Sequence, residues 1–259
     1  MLLEHRVAIV SGIGPGMGRD VALALAREGA DLVLAARTEA SLETVAAEVR
    51  ALGRRALTVP TDISKTEDCK RLADTAQGKL GAVDVLVNNA FLSAPYDLFE
   101  DAKLDDWRKI FDVNVFGSLA LSQAVVPHMK GRGGGSIVMV NSMSMRIVEP
   151  RFGGYAASKG ALMIAAQTLA KEVGAYNIRV NSVVPGYIWG PVLEGYFKIL
   201  AKQQKITPEA VYAQIAARTA LNHIPTSEEI AGAVLFFASD LSRVITGQAL
   251  DVNGGHFFH

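Results

Sequence analysis

Seven short runs rich in valine, isoleucine and leucine recur along the chain, and in most of them successive residues, not alternate ones, are apolar. A strand with one wet face alternates apolar with polar side chains, so a strand apolar on both faces must be covered on both. The runs lie at residues 6–11, 31–36, 55–60, 84–88, 136–141, 178–183 and 248–252. Helical patterns of about ten residues or more separate them, among them residues 18–28, 39–52 and 66–79. This alternation predicts a doubly wound, mostly parallel seven-stranded α/β sheet with helices on both faces. The chain has 259 residues, half of them hydrophobic, which suits a single domain over residues 1–259. One stretch breaks the rhythm: residues 190–226 carry helical pattern with no strand, an insertion before the last helix and strand.

The sequence SGIGPGMG at residues 11–18 follows the first run and opens the first helical pattern. Glycines there let the turn backbone approach a pyrophosphate, and the next helix offers free N–H groups and the positive end of its dipole. Ser11, Gly12, Gly14, Pro15, Gly16 and Met17 are therefore the candidate phosphate-loop residues. At the end of the second run stands Ala36, where a site that reads ribose hydroxyls carries an acid, and Arg37 follows. A guanidinium pairs with a 2′-phosphate that an acid would repel. The pair points to NADP(H), with NAD(H) as the alternative.

Ser142 lies at the end of the fifth run, and thirteen residues later comes YAASK, with Tyr155 and Lys159 one helical turn apart. Asn114 sits in DVNVFG, inside the preceding long helical pattern. A carbonyl that accepts hydride builds negative charge on oxygen and needs a proton at the same moment. Ser142 is suited to donate to that oxygen, and Tyr155 to supply the proton. Free tyrosine titrates near pH 10, and an ammonium at Lys159 together with the positive nicotinamide of the oxidised cofactor is expected to favour the phenolate and pull that value down.

Taken together, these stretches resemble the short-chain dehydrogenase/reductase family over essentially the whole chain. The spacing of Gly12, Gly16 and Gly18 is similar to its TGxxxGxG loop, YAASK to its YxxxK motif, and ITGQALDVNGG at residues 245–255 to its closing TGxxxxVDGG. The resemblance implies a Rossmann-like fold, with Asn114, Ser142, Tyr155 and Lys159 as the catalytic set. It implies that Lys159 also holds the nicotinamide ribose and that Asn114 anchors a water chain returning the proton. Asp62 and Ile63 of TDIS would flank the adenine, although Asp62 alone also reads as an N-cap of the next helix. Asn89 and Ala90 of VNNAF would border the cofactor, and Pro185, Gly186 and Ile188 of PGYIWGP the nicotinamide carboxamide. Two positions depart from the family. Phe91 replaces the glycine of NNAG, predicting a bulkier, apolar rim, and Gly190 stands where PGxxxT has threonine.

Lysine plus arginine and aspartate plus glutamate each total 26. That balance offers no field for nucleic acid or an anionic membrane, and no run of about 18 apolar residues predicts a bilayer span. MLLEHRVAIV carries charge and histidine where a signal peptide would be apolar. Cys69 is the single cysteine, and His5, His128, His223, His256 and His259 are scattered, so neither a disulfide nor a metal site is expected. The expectation is a cytoplasmic enzyme for a small-molecule carbonyl or secondary alcohol.

Leu193, Tyr196, Phe197 and Leu200 form one helical face in the insertion. With Met143, Met145 and Phe91 that face predicts an apolar substrate mouth; the alternative is a face that only packs on the core or a neighbouring subunit. Small residues along residues 155–173, with the helix around 107–125, predict an oligomer interface, and the resemblance implies a homotetramer. A 3-oxoacyl-thioester reductase is the specific alternative. An enoyl-thioester reductase fits less well, because that branch separates its tyrosine and lysine by six residues. A dinucleotide-binding redox sensor is the alternative of another class, though a sensor has no need of the Asn114, Ser142, Tyr155 and Lys159 set.

Overall fold

In the computed structural model, which describes residues 1–258, the seven apolar runs form one sheet. His259, one of the five histidines weighed above, lies outside the described residues. The strands are β1 (Val7–Ser11), β2 (Asp31–Ala36), β3 (Ala56–Pro60), β4 (Val85–Asn88), β5 (Gly135–Val140), β6 (Ile178–Pro185) and β7 (Ala249–Val252). All neighbours pair in parallel, in the order β3-β2-β1-β4-β5-β6-β7. β6 runs past its predicted end because Val184 and Pro185 pair with Asp251 and Val252.

Successive residues of each strand serve opposite cores, as a period of two requires. Ala8 and Val10 belong to one cluster, Val7 and Ile9 to the other. The first core lies under α1 (Met17–Arg27), α2 (Glu39–Ala51) and α9 (Ser227–Ala238). The second lies under α3 (Thr66–Leu80), α5 (Ser118–Arg132) and α6 (Gly153–Val173). Cys69 is buried in α3, where burial pushes its thiol up to about 11, so it is unreactive.

Helix α4 (Leu104–Phe111) runs through one π-helical turn, Asp112–Gly117, into α5. The continuous run Leu104–Arg132 has the length and apolarity of a membrane span. However, its Leu121, Val125 and Met129 are buried against the sheet, and Asp105, Asp106, Arg108 and Lys109 stud its start, as in a core helix. Within residues 190–226, α7 (Pro191–Gln204) and α8 (Pro208–Ala216) pack on each other around a third, small core of Phe197, Ala201, Val211, Ile215, Ala216 and Ile224. The order of strands reverses between β1 and β4, and the crevice at their carboxyl ends is where open α/β sheets take their ligands.

Candidate active site

The glycine loop leaves β1 at that crevice. Gly12 has φ +80°, and a Cβ there would lie 2.5 Å from the Ala90 backbone. Only glycine permits this approach, which stitches the loop to the end of β4. Asn89 completes the stitch by donating through Nδ2 to the Gly12 carbonyl at 2.8 Å. Around Gly14 and Gly16 an added Cβ would meet nothing within 4 Å, so this side of the loop faces open space. Helix α1 starts at Met17 with Gly16 as its N-cap and no side-chain cap, leaving its first N–H groups to an anion. Pro15 is exposed on the loop crest.

Ser11 departs from expectation. It is fully buried, and its hydroxyl donates to Val87 and accepts from the Asn89 amide, both at 3.3 Å, so it braces the loop from beneath. Arg37 is exposed just beyond β2, with no hydrogen bond or ion pair to any described residue. Asp62 caps no helix; it accepts from the Ser64 amide at 3.1 Å and hydroxyl at 2.7 Å, while the N-cap of α3 is Lys65. Ile63 is buried against Gly117, so the side chain there faces inward. At the end of β6, Gly186 abuts Asn253, and Ile188 packs on the first core.

Tyr155 and Lys159 project from the first two turns of α6. The indole of Trp107 on α4 seats that helix start, because Gly153 and Gly154 leave room for its ring. Lys159 is buried, with Nζ donating to the Val140 carbonyl at 2.8 Å and lying 5.7 Å from the centre of the Tyr155 ring. Ser142, half-buried beyond β5, accepts from both the amide and the hydroxyl of Ser144 at 3.2 and 3.0 Å. Its own proton is thereby left to point elsewhere, and the Ser142 hydroxyl lies near enough to the Tyr155 phenol to favour its ionised form. Asn114 is buried in the π-turn. It accepts from the Leu92 amide at 2.7 Å and donates to the Leu92 carbonyl and the Ser158 hydroxyl, both at 2.9 Å.

The open glycine loop thus lies at the strand-order switch, together with the half-buried Ser142 and Tyr155 and the buried Lys159. Comparison with known proteins agrees with that geometry. A family model described as enoyl-(acyl carrier protein) reductase matches residues 12–256. The 7alpha-hydroxysteroid dehydrogenase of Escherichia coli (strain K12) is 34% identical over 98% of this chain and 94% of its own length. The 3-oxoacyl-[acyl-carrier-protein] reductase FabG of Thermotoga maritima is 32% identical over 98% of this chain and 99% of its own. A solved structure of 7 alpha-hydroxysteroid dehydrogenase, complexed with NADH and 7-oxo glycochenodeoxycholic acid, matches with a TM-score of 0.87 at 34% identity, over 98% of this chain and 94% of that one.

The chain belongs to the short-chain dehydrogenase/reductase family. It is an oxidoreductase that transfers hydride between a nicotinamide dinucleotide and a carbonyl or alcohol. The residues present in this dehydrogenase/reductase fit such a dinucleotide: the open glycine loop, the uncapped start of α1 and the unpaired Arg37 form one path along the crevice. When bound, the dinucleotide supplies or accepts the hydride.

In the protein alone, without the positive nicotinamide expected to act together with Lys159, burial governs the phenol. It pushes Tyr155 up to about 12, and the nearby Ser142 hydroxyl only partly opposes it. Burial also pushes the Lys159 ammonium down to about 7. Near neutral pH the lysine is therefore only partly charged, and its pull does not offset the burial of the phenol.

Phe91 stands over this pair, its ring centre 6.2 Å from that of Tyr155 and 5.9 Å from Lys159 Nζ. The apolar rim expected from the departure at Phe91 is thus present, and Tyr96, its ring tilted against Phe152 at 4.9 Å, extends it. The expected face on α7 divides. Phe197 is buried in the third core, Leu193 and Leu200 pack against that core, and Tyr196 alone stays exposed. Gly190 is the N-cap of α7 and offers no side-chain cap. Ser144 and Ser158, which orient Ser142 and Asn114, were not singled out in the sequence. Serines at a strand end and one residue before Lys159 carry no signal until the fold brings them together.

Proposed function

We propose that this enzyme prefers NADP(H) and interconverts a largely apolar ketone and its secondary alcohol, with Ser142, Tyr155, Lys159 and Asn114 doing the chemistry. The observation that carries the reading is the placement of Tyr155 and Lys159 one turn apart on α6, with Lys159 Nζ 5.7 Å from the Tyr155 ring and Ser142 beside the phenol. In reduction, Tyr155 gives its proton to the substrate oxygen while Ser142 donates a second hydrogen bond to the same atom. Lys159 holds the ribose and, when protonated, favours the phenolate left behind. Asn114 holds the segment after β4 in place through Leu92 and anchors the water chain that returns the proton. Arg37 meets the 2′-phosphate, since no described residue pairs with it. Phe91, Met143, Met145 and Tyr196 give the substrate an apolar wall.

The reading includes a homotetramer in the cytoplasm, with α5 and α6 at a major interface. Phe116 in the π-turn is 61% exposed and Ile164 on α6 is 58% exposed, beside the small Ala157 and Gly160. Large apolar side chains on such a face favour burial against a second copy. The test is a panel of ketones and alcohols of graded size and charge, with consumption of NADPH and of NADH recorded separately. Turnover of bulky uncharged ketones with NADPH supports the reading; turnover confined to small charged hydroxy acids, or a tenfold preference for NADH, overturns it.

A further inference from the structure

Tyr187 and His256 are far apart in the sequence, yet their rings stack with centroids 5.9 Å apart and planes inclined by 22°. Both leave from one knot beside Ser142. Asn253 reaches Met143, the residue after Ser142, with Nδ2 3.8 Å from its Sδ. The same Asn253 accepts through Oδ1 from the amides of Gly255 and His256 at 2.9 and 3.0 Å, which fixes the turn that carries His256. Gly186 closes the knot from the other side. A Cβ there would lie 2.9 Å from Asn253 Cβ and 3.5 Å from Met143 Sδ, just before the chain reaches Tyr187.

The polar atoms of the two rings differ in their surroundings. His256 Nδ1 is buried without a partner, whereas His256 Nε2 and Tyr187 Oη stay accessible and bond to no described residue. A buried bare lone pair is better tolerated than a buried unpaired N–H, so the imidazole carries its hydrogen on Nε2, the open side. Burial and nearby Arg218 keep the imidazole neutral, and burial keeps Tyr187 a phenol. Two neutral donors therefore stand together, with the apolar third core against the Tyr187 ring.

We infer that Tyr187 and His256 form a distal substrate subsite that takes an acceptor oxygen carried at the end of the substrate away from the reacting carbon. The inference rests on the apolar-ketone reading and refines it: the substrate has an apolar body with an oxygen function at its far end. No catalytic role is assigned to either ring.

The experiment compares decalone with hydroxydecalone bearing its hydroxyl on the far ring, a matched pair differing in one distal oxygen. Binding to the enzyme with oxidised dinucleotide is read from quenching of Trp189, two residues from Tyr187, and kcat/KM is measured separately with the reduced form. Hydroxydecalone is expected to bind about tenfold more tightly than decalone, the weight of one or two neutral hydrogen bonds. In Tyr187→Phe and in His256→Phe the ratio should fall towards one. An equal affinity for both ketones in the wild type, or an unchanged ratio in both variants, overturns the subsite. If hydroxydecalone binds preferentially but is not reduced, the subsite stands and the apolar-ketone reading fails.

Discussion

Replacing Lys159 by methionine should change how stability depends on pH, by an amount the burial of the lysine sets. The folded protein holds this ammonium at about 7, against 10.5 for the free side chain. Because the folded value is the lower one, the unfolded chain binds more protons between those two pH values, and stability rises with pH there. At pH 7 the unfolded chain carries the charge in full and the folded protein about half of it. At pH 9 the folded lysine is almost wholly neutral. The slope approaches about 1.4 kcal/mol per pH unit across this window, so wild-type stability should gain about 2 kcal/mol from pH 7 to pH 9 relative to Lys159→Met. The pH-independent consequences of the substitution, such as the hydrogen bond lost at the Val140 carbonyl, cancel in that difference. Urea unfolding of both proteins at matched concentration, without dinucleotide, gives the two profiles. Parallel profiles between pH 7 and 9 would show that the folded lysine is fully charged and that its burial does not govern its titration.

Arg37→Asp should weaken or reverse the preference for NADPH over NADH, read as the ratio of kcat/KM for the two cofactors; an unchanged ratio removes Arg37 from the 2′-phosphate site. Gly12→Ala places a methyl 2.5 Å from the Ala90 backbone at φ +80°, and should cost at least about 2 kcal/mol and most dinucleotide affinity. A variant that melts and binds like wild type would contradict the stitch between loop and β4. Asn114→Ala leaves both backbone groups of Leu92 without their partner and should destabilise by about 2–4 kcal/mol in urea unfolding. Light scattering coupled to size exclusion should find a tetramer. A fully active species of the single-chain mass, 27.6 kDa, would refute that assembly.

Much of the fold was legible because burial on both faces leaves a continuous apolar signature. Asp31–Ala36 was read to the residue, since Glu39 and the helix it opens follow a two-residue turn. Helical spacing put Tyr155 and Lys159 on one face, although α6 starts at Gly153, two residues before the helix read from Tyr155. What stayed hidden depends on contacts between distant segments. Asn114 reads as an ordinary helix residue, and neither the π-turn around it nor its grip on Leu92, beyond the end of β4, is encoded in local spacing. Phe91 was visible as a departure, but not that its ring would stand over Tyr155 and Lys159. Spacing placed Tyr155 and Lys159 together but does not encode their burial, which in the protein without dinucleotide pushes the phenol up and the ammonium down. The stripe on α7 had the right period but an ambiguous face, and α8, which it packs against, decides how much of it is left for a substrate.

The most direct test of the central claim is a comparison of wild type with Tyr155→Phe at saturating reduced dinucleotide and ketone, following hydride transfer in a single turnover and dinucleotide affinity by fluorescence titration. Removing one hydroxyl from a half-buried ring leaves packing almost intact. The affinity should therefore stay within about twofold, while the transfer rate should fall by at least about a hundredfold, the usual worth of a positioned proton donor. A variant that binds normally and still transfers hydride at more than a few per cent of the wild-type rate would contradict the assignment of Tyr155 as the acid.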